Sequence, residues 1–402
     1  MVFSSADAKK LLPELVSLRR RLHAQPEIGL QLPRTQETVL RALDGLGLEI
    51  HTGDATTSVT AVLRGKGEHQ PGDTVPTVLL RGDMDGLPII EQTELPYASV
   101  NGAMHACGHD LHTAGLVGAA RLLSEARNRL PGDVIFMFQP GEEGYNGAGL
   151  MIDEGVLEAA GNPVLAAYGV HVAADLPYGK VHSKPGPLMA AFSVLDVTVR
   201  GRGGHGSRPY TALDPVQTAA EMIVALQSYI SRRFDIFDPV VLTVGDFHGG
   251  SAANVIPDIA RFRAGIRSFS DEVTARLAVE LPNLVSHIAL GHGLVADVNF
   301  STDLPATIND HDEAIRYLGV AGEMFGEHRV ELMENPRAGS EDFSRILHRV
   351  PGAYGHLGAA PRDLAPEDWV SNHSPRARFD DGVLGEHATF LAELAARRLA
   401  DA

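Results

Sequence analysis

Cysteine occurs once in 402 residues, so no intrachain disulfide can close and a disulfide-stapled scaffold is excluded. Long apolar runs are missing as well. No uninterrupted stretch of about 18 apolar residues occurs, which excludes an obvious membrane-spanning helix. The first residues carry no apolar core of the roughly 7–15 residues that a secretory signal needs. Basic residues are scarce against acidic ones, 34 Lys+Arg to 51 Asp+Glu, for a formal net charge of −17. That balance argues against nucleic acid or an anionic membrane as a partner. Together these absences make a cytoplasmic location the expectation.

What is present describes an ordinary globular chain: 44% hydrophobic and 21% charged residues, with a length that suggests two or three domains. The first third alternates helix and strand patterns. Helices are expected over 11–23, 35–46 and 113–128, and strands over 58–64, 77–81, 133–138 and 165–170; 65–72 reads as a surface loop. Strands alternating with helices indicate an α/β layer with a mostly parallel sheet and helices on both faces. Beyond Lys184-Pro185-Gly186-Pro187 the pattern changes to strand 191–200, helix 213–232, strands 240–246 and 259–267, helix 272–290 and strand 295–300. That β-α-β-β-α-β order is ferredoxin-like. After Asp303 the α/β character returns, with a helix over 312–325, a strand near 354–357 and a C-terminal helix ending near 399. The expected organisation is one domain built from 1–186 and 302–402, interrupted by an inserted α+β domain over 187–301.

The polar clusters sit where the apolar strands stop, which is where open α/β sheets carry their sites. Asp83 and Asp85 close the strand ending Leu79-Leu80-Arg81. Glu142-Glu143 follows Val134–Phe138, and His171 follows Ala167-Tyr168-Gly169-Val170. The lone cysteine lies in His105-Ala106-Cys107-Gly108-His109-Asp110, just before a helical pattern. Taken alone, a single cysteine is more often a small buried thiol than a ligand. With His109 two residues away on a turn, and carboxylates and imidazoles at the other strand ends, it has the company of a soft metal ligand. His105 and His112 bracket the pair and read as packing or hydrogen-bonding neighbours. Adjacent carboxylates point in different directions, so one of Glu142 and Glu143 can hold a metal while the other serves as general base. Aspartates such as Asp83 and Asp85 can ligate, or orient a ligating histidine through its other ring nitrogen. Gly201-Arg202-Gly203-Gly204-His205-Gly206 matches G-x-G-x-x-G letter for letter, but its preceding strand alternates and no helix opens on the last glycine, so it is not a dinucleotide site.

The motifs Arg81–Pro88, Met104–His112, Gln139–Glu143, Gly169–His171, Gly203–Pro209, Gly339–Phe343 and Asn372–Pro375 occur in one order over positions 81–375. In this the chain resembles the dinuclear-metal aminoacylase and carboxypeptidase family, in the branch of hippurate hydrolases, N-acyl-amino-acid amidohydrolases and auxin-conjugate hydrolases. The resemblance implies that Cys107, His109, Glu143, His171 and His373 hold two divalent ions per subunit, zinc or manganese, with cobalt or nickel as alternatives. It implies Glu142 as general base, Asp85 and in second place Asp83 as supporting aspartates, and His205 as an oxyanion-stabilising histidine that reaches a neighbouring subunit's site. Asn254 and Arg267 resemble groups that bind a substrate α-carboxylate. The inserted domain is implied to be a lid and dimerisation domain, making the protein a homodimer or a higher homo-oligomer. The expected reaction is metal-dependent cleavage of N-acyl-L-amino acids to a carboxylic acid and an amino acid. The alternatives are a metallo-carboxypeptidase or dipeptidase acting on small peptides and, from another class, a catalytically silent metal-binding or interaction protein.

Overall fold

A computed structural model of the protein describes residues 2–67 and 75–402; most of the loop expected over 65–72 lies outside the described residues. The chain divides into two compact units, one of Met1–Leu188, Ile308–Asn335 and Arg345–Ala402, the other of Met189–Thr307 and Pro336–Ser344. The short return of 336–344 to the second unit has no signal in hydrophobic periodicity, because it is held by main-chain bonds: Ala190 N donates to the carbonyls of Arg337 and Gly339.

The first unit is built on an eight-stranded sheet in the order Glu49–Thr52, Val59–Leu63, Asp133–Gln139, Thr77–Asp83, Val164–Ala173, Gly352–Gly358, Val181–Ser183, Val330–Leu332. The four strands from Asp133–Gln139 to Gly352–Gly358 run parallel, and antiparallel pairings flank them. Asp133–Gln139 and Thr77–Asp83 are buried at every residue, as expected where a parallel sheet is covered on both faces. Glu49–Thr52, Val181–Ser183 and Val330–Leu332 are strands that the apolar pattern did not announce. They are short. The two outermost, Glu49–Thr52 and Val330–Leu332, are largely exposed, so edge pairing and not burial selects them, whereas Val181–Ser183 is buried between its neighbours.

Helices Ser5–His23, His109–Ala126 and Leu384–Ala400 pack on one another and share one hydrophobic core with the sheet. The helix expected to begin at 113 begins four residues earlier, at His109. Gly108 caps it with φ 83°, and a Cβ there would meet Val172 Cγ2 at 2.4 Å. Only glycine takes that backbone turn in that space without strain. Glycine also lets the helices approach closely: a Cβ on Gly115 would lie 2.1 Å from His387 Nδ1.

The second unit has its own core. Its antiparallel sheet runs Val241–Gly249, Ile259–Ser268, Ala191–Arg200, Val295–Leu304. Helices Pro215–Arg233 and Asp271–Gly291 complete the ferredoxin-like order and bury Met222, Leu226, Leu277, Leu281 and Val285. Both begin on side-chain caps, with Asp214 accepting from Val216 N at 2.9 Å and Ser270 from Val273 N at 3.2 Å, the expected use of these residue types. The glycine-rich stretch is no nucleotide loop: Gly204–His205 forms a two-residue ladder with Val255–Ile256. Among the described residues no helix is long and apolar enough to cross a membrane.

Gly115→Ala should therefore overpack the helix interface against His387 and lower stability by about 1–3 kcal/mol, read as a lowered thermal midpoint with an unchanged far-ultraviolet circular dichroism spectrum.

Candidate metal centre

The carboxyl ends of the parallel strands and the first turn of His109–Ala126 bring one cluster together within the first unit. Cys107 Sγ lies 3.4 Å from His171 Nε2 and 3.2 Å from His373 Nε2. His373 Nε2 in turn lies 3.1 Å from Glu143 Oε1. The donor atoms of Cys107, His109 and His171 are all within 4.8 Å of one another, and the same holds for Cys107, Glu143 and His373 and for His109, Glu142 and Glu143. The thiol thus belongs to two overlapping donor groups.

The surroundings aim these side chains. Asp85 Oδ1 stands 3.2 Å from His109 Nδ1, and the Asp85 carboxylate accepts from Glu142 N at 3.1 Å and Glu143 N at 3.0 Å. With Nδ1 turned to Asp85, His109 Nε2 is left buried and without a hydrogen-bond partner among the described residues. His171 Nδ1 donates to Val172 O at 2.8 Å, which turns its Nε2 toward the thiol. His373 sits in the left-handed region at φ 68°; its N–H donates to Ala106 O at 2.9 Å. Such a backbone is uncommon for a non-glycine residue and is held here by its neighbours.

Asp83 does different work from Asp85. Its carboxylate takes Arg81 Nη1 at 2.6 Å and His112 Nδ1 at 2.5 Å, and lies 3.5 Å from His109 Nε2. His112 Nε2 accepts from Val172 N at 2.8 Å, so His112 has both nitrogens engaged and acts as a strut between two strand ends. Asn372 is a further positioning residue that the sequence reading passed over. It accepts from Ala174 N at 2.9 Å and donates to Val172 O at 3.0 Å and Cys107 O at 3.2 Å. Its place beside His373 was the available signal. Behind the cluster, fully buried Arg19 donates to Asp110 at 2.6 Å and to Asp381 at 3.0 Å, while His23 bridges Asp110 at 2.8 Å and Glu91 at 3.1 Å. No spacing rule pointed to this network, because Arg19 reads as one of three consecutive arginines.

Burial would raise the Asp83 carboxyl, but Arg81, His109 and His112 hold it well below the ordinary aspartate value. Burial pushes Asp85 up. Burial would also raise the Cys107 thiol, yet His171, His109 and His373 bring it down to about 6. Hydrogen bonds to Cys107 and Glu143 push His373 up to about 10. Cys107 and Glu143 thus favour the protonated form of His373. Thiolate, imidazole and carboxylate converging on a buried ring nitrogen fit divalent ions of intermediate softness.

The other expected site residues lie in the second unit. His205 and Asn254 are exposed and come together: Val255 pairs with His205, and Gly206 N donates to Asn254 O at 2.8 Å. Arg267 lies elsewhere on that unit's sheet, with its guanidinium 4.3 Å from the Phe192 ring centroid and donating to Ser340 Oγ at 2.5 Å.

A largely parallel α/β unit with a cluster of thiol, imidazole and carboxylate donors at its strand ends, in a chain that also carries a ferredoxin-like unit, suits a metal-dependent hydrolase. Residues 79–397 match peptidase family M20/M25/M40, and the chain belongs to that family. It is 35% identical over 386 residues to an N-acetylcysteine deacetylase of Bacillus subtilis, covering 95% of this chain and 96% of that protein. It is 36% identical over 391 residues to the IAA-amino acid hydrolase ILR1-like 4 of Arabidopsis thaliana, covering 96% and 86%. Among solved structures, the Bacillus subtilis YXEP protein, a dinuclear metal-binding M20 peptidase, superposes with a TM-score of 0.82 at 31% identity, covering 98% and 99% of the two chains. The protein is accordingly a metal-dependent hydrolase of amide bonds.

Burial holds His387, which packs edge-on to His112, down at about 4. A histidine depressed in the folded state contributes stability that is full above its unfolded value near 6.5 and is lost as pH falls toward the folded value. Denaturant unfolding of the metal-free protein between pH 7 and pH 4 should show stability falling with pH, and less steeply in His387→Leu.

Proposed function

We propose that the enzyme cleaves N-acyl-L-amino acids at a two-metal centre held by Cys107, His109, Glu143, His171 and His373. The observation that carries this reading is the sharing of Cys107 between two donor groups, with the buried Glu142 carboxylate 4.0 Å from His109 Nε2. Bound divalent ions would supply an acidified water and a polarised carbonyl; zinc and manganese suit the mixed donors, and cobalt and nickel are alternatives.

This chain's residues do the rest. Glu142 takes the proton of the attacking water as the new C–O bond forms. It returns that proton to the amide nitrogen as the C–N bond breaks, releasing a carboxylic acid and an amino acid. Asp85 keeps Glu142 and Glu143 on station through their backbone N–H groups. His205, supplied by the neighbouring subunit of a homodimer, donates to the developing oxyanion; a donor of this kind contributes about 2.7–4 kcal/mol to the barrier. Asn254 and Arg267 hold the substrate α-carboxylate. In this reading the second unit is the lid and dimerisation domain and the enzyme is cytoplasmic. The relatives named as deacetylase and amino acid hydrolase favour blocked amino acids; those named thermostable carboxypeptidases of Saccharolobus solfataricus, at 33% identity, keep small peptides as the second reading.

Metal analysis of the purified protein, with hydrolysis of benzoyl-glycine compared against unblocked dipeptides, tests the substrate class; faster turnover of the dipeptides would overturn it. Glu142→Gln should retain the metal content and lose about 10²–10⁴ in kcat; near-normal turnover would remove Glu142 as the base. Mixing Glu142→Gln with His205→Ala subunits should restore partial activity, and a confirmed heterodimer without recovery would rule out the shared site.

A further inference from the structure

A cavity of about 360 Å³ lies within the first unit, among helices Ser5–His23, His311–Phe325 and Leu384–Ala400. None of the donor residues of the metal centre lines it. Its size falls in the range of small-molecule sites. The walls are apolar: buried Phe3 and half-buried Leu12, Met324 and Phe325. The surrounding backbone is held in place without a ligand. Phe3 N donates to the buried Glu393 carboxylate at 2.9 Å. A Cβ on Gly385 would lie 2.5 Å from Ala8 O, so glycine lets the first and last helices close in around the cavity.

The lining carries three cations, Lys9, Arg329 and Arg362, against one carboxylate, Glu386. Two of the cations are already satisfied. Arg329 donates to Glu386 at 3.1 and 2.5 Å and to Gly179 O at 2.7 Å, with its guanidinium 4.8 Å from the Phe325 ring centroid. Arg362 donates to Asp380 at 2.7 and 3.0 Å and lies 4.0 Å from the Tyr178 ring centroid. Lys9 is exposed, and no carboxylate pairs with it among the described residues. The Tyr178 hydroxyl likewise has no hydrogen-bond partner among the described residues, and its ring is held by the stack on Arg362. Burial, and then the charge of Glu386, push that hydroxyl up to about 12, so it is a protonated donor at neutral pH. One uncommitted ammonium and one phenolic donor beside apolar walls match a single carboxylate on an apolar body. A dianion would find no second free cation there, and an amine would meet Lys9.

We propose that this cavity is a second ligand site, which binds a small amphipathic monocarboxylate with its carboxylate on Lys9 and Tyr178 and its apolar body against Phe3, Leu12, Met324 and Phe325. Every one of these residues belongs to the first unit. The site is independent of the substrate reading given above, because it shares no residue with the metal centre. Its walls and the Tyr178 ring are ordered in advance, which reduces the ordering cost of binding.

Calorimetric titration of the metal-loaded enzyme with octanoate, octanamide and octylamine tests the assignment. Octanoate should bind a single site per chain, more tightly than the amide, and the amine should not bind. Lys9→Glu should weaken octanoate about 10-fold, the size of one charge-assisted hydrogen bond, and leave the amide nearly unchanged. Tyr178→Phe, which keeps the ring stacked on Arg362, should weaken both ligands. Met324→Trp should abolish both by filling the cavity. Metal content and thermal midpoint establish that each variant is folded and loaded. Should the tryptophan variant not fold, Lys9→Glu and Tyr178→Phe still decide the matter. Octanoate binding that ignores both of these substitutions, or that disappears when the metal is removed, places the ligand elsewhere and overturns the assignment. So does tighter binding of the amine, or no saturable binding at all. None of these outcomes bears on N-acyl-amino-acid hydrolysis, which the substrate comparison tests separately.

Discussion

The Asp85 carboxylate accepts from the backbone N–H groups of Glu142 and Glu143 and faces His109 Nδ1, and the rest of the centre depends on that junction. One side chain ties the end of Thr77–Asp83, the turn after Asp133–Gln139 and the first residue of His109–Ala126. With these anchored, His109 and the paired glutamates bring their donor atoms within 4.8 Å of one another. A buried carboxylate stripped of water is costly unless such bonds compensate it. The groups that Asp85 positions offset part of that cost, and burial still pushes its carboxyl up. Around it, Asp83 with His112 and Asn372 with the Cys107 carbonyl repeat that economy at neighbouring strand ends.

The legible part of the fold and site follows from burial and placement. Strands such as Asp133–Gln139 are apolar because both faces are covered, so they stand out in a one-dimensional pattern, and their ends mark the site. Ala191–Arg200 alternates because one face of its sheet packs on helices, and that period distinguished the second unit from the first. Glu142, Glu143 and His171 could be picked out because each follows an apolar run, and His109 because it stands two residues from the lone cysteine at the start of a helical pattern. The fold brings them together with His373, which lies some 200 residues from His171 along the chain and stood out through a motif, not a strand.

The remainder was illegible for identifiable reasons. Arg19 and His23 reach Asp110 from a helix whose amphipathic pattern spoke only of packing. Asn372 acts through two carbonyls and one N–H, and main-chain partners leave no trace in residue type. The early start of His109–Ala126 turns on Gly108 adopting φ 83° under Val172, a contact between segments more than 60 residues apart. The return of 336–344 to the second unit is likewise written in backbone hydrogen bonds and not in side-chain period.

The first unit is assembled from both ends of the chain. Helix Leu384–Ala400 packs on Ser5–His23 and His109–Ala126, and Glu393 accepts from Val2 N and Phe3 N. On the ribosome, which releases domains from the N-terminus onward, the opening helix and the central strands emerge while the last helix and Gly352–Gly358 do not yet exist. The second unit, nearly continuous over Met189–Thr307, has its own core available well before that. Biosynthesis thus reverses the order of the chain: the inserted unit can fold first, and the unit that carries the chemistry must keep its apolar strands uncommitted until the final residues arrive.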